Sequence, residues 1–341
     1  MRRLILSLLL AVATASAAEL RPIPAQSESA WNARRAEILK AAQDVMGPLP
    51  GAEKRCPLEV KIETETDEGT YVRRLISYAS EPGDRTPAWL LIPKSALAGQ
   101  PAPAVLCLHP TNATIGHDGV VGLGGLPNRA YAKELAERGY VTIAPSYPLL
   151  AKYQPDVKKL GWESGTMKAI WDHVRALDLL DEMPQVRHGN YAAIGHSLGG
   201  HNSIFIGVFD PRIKVVVTSC GFDSFQDYYG GDPKHWQPEQ GWCQTRYMPR
   251  LASYAGRLPE IPFDFHELLA CLAPRPVFIN APLKDSNFQH ASVDQCVAAA
   301  RPVYQLLGNP KGIRVLHPDC PHDFPEEVRA EAYALIDRAL R

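Results

Sequence analysis

Three residues far apart in the chain are of types that could together carry out acyl transfer. Ser197 stands in "GHSLGG", with Gly195 and Gly199 two residues to either side. A serine hydroxyl is a weak nucleophile; it attacks a carbonyl only when a base takes its proton and a third group holds that base. Asp285 follows the apolar run "PVFINAP", and His322 follows "IRVLH". Serine, then acid, then histidine, each just past a strand-like run, is one of the chain orders in which a Ser–His–Asp triad is built. In such a triad Ser197 would attack an ester carbonyl, His322 would take its proton, and Asp285 would orient the imidazole. Water activated by His322 would then release the acid. This chemistry requires no cofactor and no metal, and neither an HExxH motif nor a CxxC pair occurs in the sequence.

Neighbouring residues compete for these roles. Asp223, on the loop after "IKVVVTSC", is the alternative acid. His317, at the end of its strand-like run, is read as structural or pocket-lining. His196 and His201, on either side of the serine, are read as packing or pocket-rim residues. Gly195 and Gly199 would leave room for a sharp strand-to-helix turn that lifts the Ser197 hydroxyl clear of its strand. The Leu198 N–H, at the start of the next helix, would then face the oxyanion. A second donor is expected from "HPTNATIGHDG", the loop after "PAVLCLH": the N–H of Thr111 first, Asn112 as the alternative, with His109 lining the pocket.

The elements that must position these groups can be read from hydrophobic patterning. From Pro103 onward short apolar runs alternate with helical patterns, which predicts a doubly wound, mostly parallel sheet. Upstream, "WNARRAEILKAAQDVM" has helical spacing. "LEVKIETE", "YVRRLISYAS" and "TPAWLLIPK" predict an antiparallel N-terminal sheet edge. Residues 221–262 form a long irregular stretch, read as a lid-like insertion. Its Trp236, Trp242, Arg246 and Tyr247 are candidate substrate-binding residues, because aromatic rings with polar tips suit flat amphipathic ligands such as sugars.

With 36 basic and 37 acidic side chains, the chain carries no charge excess that would favour nucleic acid or a membrane surface. Arg2 and Arg3, an apolar stretch from Leu4 to Ala13, and Ala15-Ser16-Ala17 read as a signal peptide over 1–17. The expected organisation is therefore that leader, an N-terminal helical segment over 18–56, and one catalytic domain over 57–341. The protein would be periplasmic or secreted, without membrane insertion after cleavage. Seven cysteines leave at least one unpaired, and the sequence does not specify any pairing.

From about Leu58 to its end the chain resembles the α/β-hydrolase superfamily. Within it, the chain is similar to exported bacterial hydrolases of the dienelactone hydrolase family and to acetyl xylan esterase-like enzymes. "PAVLCLHPTN", "SGTMKAIWDHVRALDLL", "GHSLGGHNSIF", "APLKDSNF" and "PDCPHDFP" carry the resemblance. It implies an α/β-hydrolase fold and a serine esterase acting on small-molecule or oligosaccharide esters, with short-acyl or carbohydrate-linked groups. Ser197 stands where dienelactone hydrolases use cysteine, and Leu198 stands where glucuronoyl esterases carry arginine, which directs the expectation away from both substrates. The alternatives are a serine peptidase or amidase related to prolyl oligopeptidases, and a non-catalytic binding protein on the same fold.

Overall fold

The computed structural model describes residues 19–341, so the expected signal peptide lies outside the described residues. Nine strands form one sheet: β1 (Lys61–Asp67), β2 (Tyr71–Glu81), β3 (Asp84–Pro93), β4 (Ala102–Leu108), β5 (Val141–Pro145), β6 (Val186–His196), β7 (Ile213–Ser219), β8 (Val277–Asn280) and β9 (Ile313–Leu316). Their spatial order is β1-β2-β3-β5-β4-β6-β7-β8-β9. Pairing is antiparallel from β1 through β3 to β5. It is parallel from β5 through β4 to β9. This is the doubly wound, mostly parallel sheet that the strand–helix alternation predicts, and the α/β-hydrolase fold that the resemblance implies.

The central strands are apolar over their inner stretches because both faces are covered there, and a period of two divides their side chains between two cores. In β4, Ala104, Leu106 and Leu108 join one core while Val105 and Cys107 join the other. The first core packs against α1 (Glu28–Met46), α4 (Gly165–Glu182), α5 (Leu198–Phe209), α6 (Phe265–Leu272) and α7 (His290–Leu306). The second packs against α3 (Tyr131–Glu137) and α8 (Glu326–Leu340); α2 (Lys94–Leu97) is a short turn after β3. The edge strand β1 differs from its alternating sequence pattern, since all seven of its residues are exposed. Its Lys61, Glu63, Glu65 and Asp67 leave a charged edge, which discourages edge-to-edge pairing.

Residues 221–262 contain five short 3-10 turns and no strand. Phe222, Phe225, Trp236, Met248 and Leu251 are buried in the first core. The stretch that the sequence suggested as a lid is thus a packed wall, anchored by its own aromatic side chains. Among the described residues, no helix is long and apolar enough to cross a membrane, and all seven cysteines are free.

Candidate active site

The β6–α5 junction is a sharp elbow. Ser197 has φ 55° and ψ −123°, a strained conformation for a residue with a side chain. Its N–H donates to Ser219 O at 2.7 Å, tying the turn to the end of β7. The flanking glycines are required by space. A Cβ on Gly195 would lie 2.1 Å from Gly199 C, and one on Gly199 would lie 1.9 Å from Leu108 O. The price of this geometry is strain at Ser197, and the result is a hydroxyl raised into a cavity of about 460 Å³.

The ends of β8 and β9 supply the other two groups. His322 Nδ1–H donates to Asp285, with both carboxylate oxygens at 2.9 Å. Asp285 also accepts from Asn287 N at 2.8 Å, and its side chain is almost fully buried. Burial pushes this carboxyl up. The His322 hydrogen bond and charge, the Asn287 N–H and the Cys220 thiol outweigh that and hold it below the usual carboxylate range. His322 and Ser197 line the same cavity.

The loop carrying His322 is clamped. Arg129 Nη1 donates to Asp323 Oδ1 at 2.6 Å, and Asn128 Nδ2 donates to Asp323 Oδ2 at 2.6 Å. Asn280 Nδ2 donates to Asp323 O at 2.8 Å. Cys220 follows β7 with φ 49°, and its Sγ lies within 4.8 Å of the Asp285 and His322 donor atoms. Its Sγ–H donates to Asp323 O at 3.4 Å, and burial pushes the thiol well up, so it remains protonated. Sequence reading missed Arg129, Asn280, Cys220 and Asp323 as parts of this support.

The competing residues have other partners. Asp223 is buried and accepts from Gln289 N at 3.1 Å at the start of α7. His317 bonds Ala281 O at 2.7 Å and Asp294 at 3.1 Å. His196 does line the cavity, edge-on to His322 with ring centroids 4.7 Å apart. Burial drives its imidazole well below the ordinary range, so it is unsuited to accepting a proton. His201 packs flat on Trp242 at 4.1 Å and is pushed down to about 3 by burial.

Leu198, Thr111 and Asn112 all line the cavity. Thr111 Oγ1 lies 2.8 Å from Tyr247 OH, while the Asn112 side chain accepts from Thr114 N and Ile115 N and closes the loop. Trp242, Arg246 and Tyr247 are cavity residues, joined by Tyr228 and Phe288. Two expected substrate contacts are corrected. His109 is buried, donating from Nδ1 to Pro110 O at 2.8 Å and accepting from Tyr147 N at 2.9 Å through Nε2. With both nitrogens engaged, it braces the loop and is not among the residues that line the cavity. Trp236 is fully buried against Phe225 and Tyr228, so it stands behind the cavity wall.

By its sheet order and this strand–elbow–helix arrangement, the chain has the α/β-hydrolase fold. A family model described as "Glucuronyl esterase, fungi" matches residues 159–308, less than half of the chain. The 4-O-methyl-glucuronoyl methylesterase 1 of Wolfiporia cocos is 26% identical over 185 residues, which is 50% of this chain and 45% of that protein. This chain therefore spans under half the length of that relative. A hydrolase of Bacillus subtilis named YtaP is 25% identical over 90% of this chain and 100% of its own length. A glucuronoyl esterase from Solibacter usitatus superposes with a TM-score of 0.73 at 19% identity, covering 95% of this chain and 99% of that one. The similarity thus runs toward glucuronoyl esterases, against the expectation drawn from Leu198, and these matches do not support the dienelactone hydrolase label.

Proposed function

We propose that this protein is a serine carboxylic-ester hydrolase acting on carbohydrate-linked esters through a Ser197–His322–Asp285 acyl-enzyme mechanism. The observation that carries this reading is the His322 Nδ1–H bond to a buried Asp285, in a cavity that also contains the elbow serine. His322 Nε2 takes the Ser197 proton as Oγ attacks the ester carbonyl. Asp285 fixes the imidazole tautomer and stabilises its charged form. The Leu198 N–H, with that of Thr111 or Asn112, receives the developing oxyanion. A backbone donor does not depend on its side chain, so leucine at 198 retains this role where an arginine would add charge. The proton returns to the leaving alcohol, and water activated by His322 frees the acid.

The cavity size falls within the range of small-molecule sites and admits one or two sugar rings. Tyr228, Trp242 and Tyr247 line the cavity with aromatic side chains that carry polar tips, the type that suits sugars. The relatives named as glucuronoyl methylesterases favour a sugar-acid or sugar-linked ester. The N-terminal pattern favours export to the periplasm or medium, where such esters occur in polymers or their fragments.

A substrate panel tests the reading. Hydrolysis of 4-nitrophenyl acetate and of a methyl glucuronate is expected, with acetate cleaved faster than 4-nitrophenyl octanoate. Cleavage confined to long-chain esters or to aminoacyl anilides would overturn it.

A further inference from the structure

Resting on that reading, we infer that Arg246 reads a negative charge on the substrate, one carried apart from the neutral scissile ester. The preferred substrates are then anionic carbohydrate esters. Two guanidinium groups, Arg129 and Arg246, line the cavity, and no aspartate or glutamate lines it among the described residues. Arg129 is neutralised by Asp323. Arg246 has no carboxylate partner among the described residues; its Nη2 is held by the neutral Gln244 side chain, and its Cζ lies 5.4 Å from the Tyr247 ring centroid. The nearby Glu239 is bonded to Thr245 Oγ1 at 2.6 Å instead.

The cation is also presented rigidly. Tyr147 OH donates to Arg246 O at 2.6 Å. The first N–H groups of α4 donate to either side of it, Gly165 N to Thr245 O at 3.0 Å and Thr166 N to Tyr247 O at 3.2 Å. Gly165 makes room for this contact, since a Cβ there would lie 2.3 Å from Arg246 O. The helix is itself pinned by buried Lys168, whose ammonium pairs with Asp172 at 2.6 Å and Asp84 at 2.7 Å. A guanidinium on a fixed backbone, with donors free on a cavity wall, is pre-organised to take a carboxylate in bidentate fashion. The Tyr247 OH bond to Thr111 Oγ1 links this wall to the oxyanion loop, so the anion site and the reacting centre share one cavity.

The test uses two disaccharides, each carrying one methyl hexuronate. The second ring is a free hexuronic acid in one and a neutral hexose in the other. The wild-type protein is expected to favour the acidic substrate by about tenfold or more in kcat/KM, and less so as added salt screens the charge. In Arg246→Gln the ratio collapses toward unity, while Arg246→Lys keeps part of it. A wild-type ratio at or below unity, or a ratio unchanged in Arg246→Gln, overturns the inference; a merely structural arginine would depress both substrates together. Binding of a free dihexuronate to Ser197→Ala, followed by tryptophan fluorescence, separates the two levels of the argument. Arg246-dependent binding without hydrolysis of either ester by the wild type would sink the esterase reading and leave the anion site standing. Hydrolysis without charge preference would do the reverse.

Discussion

Replacing Ser197 with alanine is expected to lower kcat on 4-nitrophenyl acetate by about 10^4-fold or more, the scale seen when a triad nucleophile is removed. The elbow should survive, because alanine keeps the Cβ and the backbone bonds that hold the turn: Ser197 N to Ser219 O, and His201 N to Ser197 O. Smaller replacement at a strained position leaves φ at 55° no worse than before. Thermal stability close to wild type together with lost turnover assigns the loss to chemistry. The oxyanion donors remain, so the residual rate should still exceed that of water alone. A variant that retains most of the wild-type kcat would show that hydrolysis runs elsewhere.

Asp285→Asn is the second large effect, expected to reduce kcat by about 10^4-fold. An asparagine offers the imidazole an amide donor where Nδ1–H needs an acceptor, so His322 would turn to the wrong tautomer and lose Nε2 as a base. The buried position makes this worse, since solvent cannot supply the missing acceptor to a side chain almost fully enclosed. Asp223→Asn is the discriminating control. Its carboxylate accepts from Gln289 N and not from His322, and an amide oxygen can keep that bond. Steady-state kinetics of the two variants side by side should show kcat collapsing in the first and staying within the same order of magnitude in the second. The reversed outcome would move the acid to the loop after β7.

How much of this was legible in the sequence depends on whether a feature is local or assembled. The central strands were legible because burial on both faces makes them short apolar runs. Ser197, Asp285 and His322 followed from asking what lies just past those runs. The clamp on the His322 loop was not legible, because Arg129 reaches Asp323 from 194 residues away and no local spacing encodes the meeting. Cys220 sits at the end of an apolar run and reads as a small hydrophobe; only the fold brings its thiol to Asp323 O, close to Asp285 and His322. Trp236 and Trp242 are the same residue type in the same irregular stretch, and only packing decides that one is core and the other faces the cavity. His109 misled because it stands where a pocket residue would stand, yet its two nitrogens are engaged by Pro110 and Tyr147. Leu198 differs in kind: one side chain at the elbow weighs against glucuronoyl esterases, while the sequence similarity over half of the chain runs toward them.

The most direct test of the account is covalent labelling of the serine it makes nucleophilic. The native protein is treated with a fluorophosphonate, then read by intact mass and peptide mapping. One adduct on the peptide containing Ser197, appearing as esterase activity disappears and absent in Ser197→Ala, is the predicted result. Full inactivation with the adduct on another residue, or undiminished esterase activity in a protein labelled at Ser197, would contradict it.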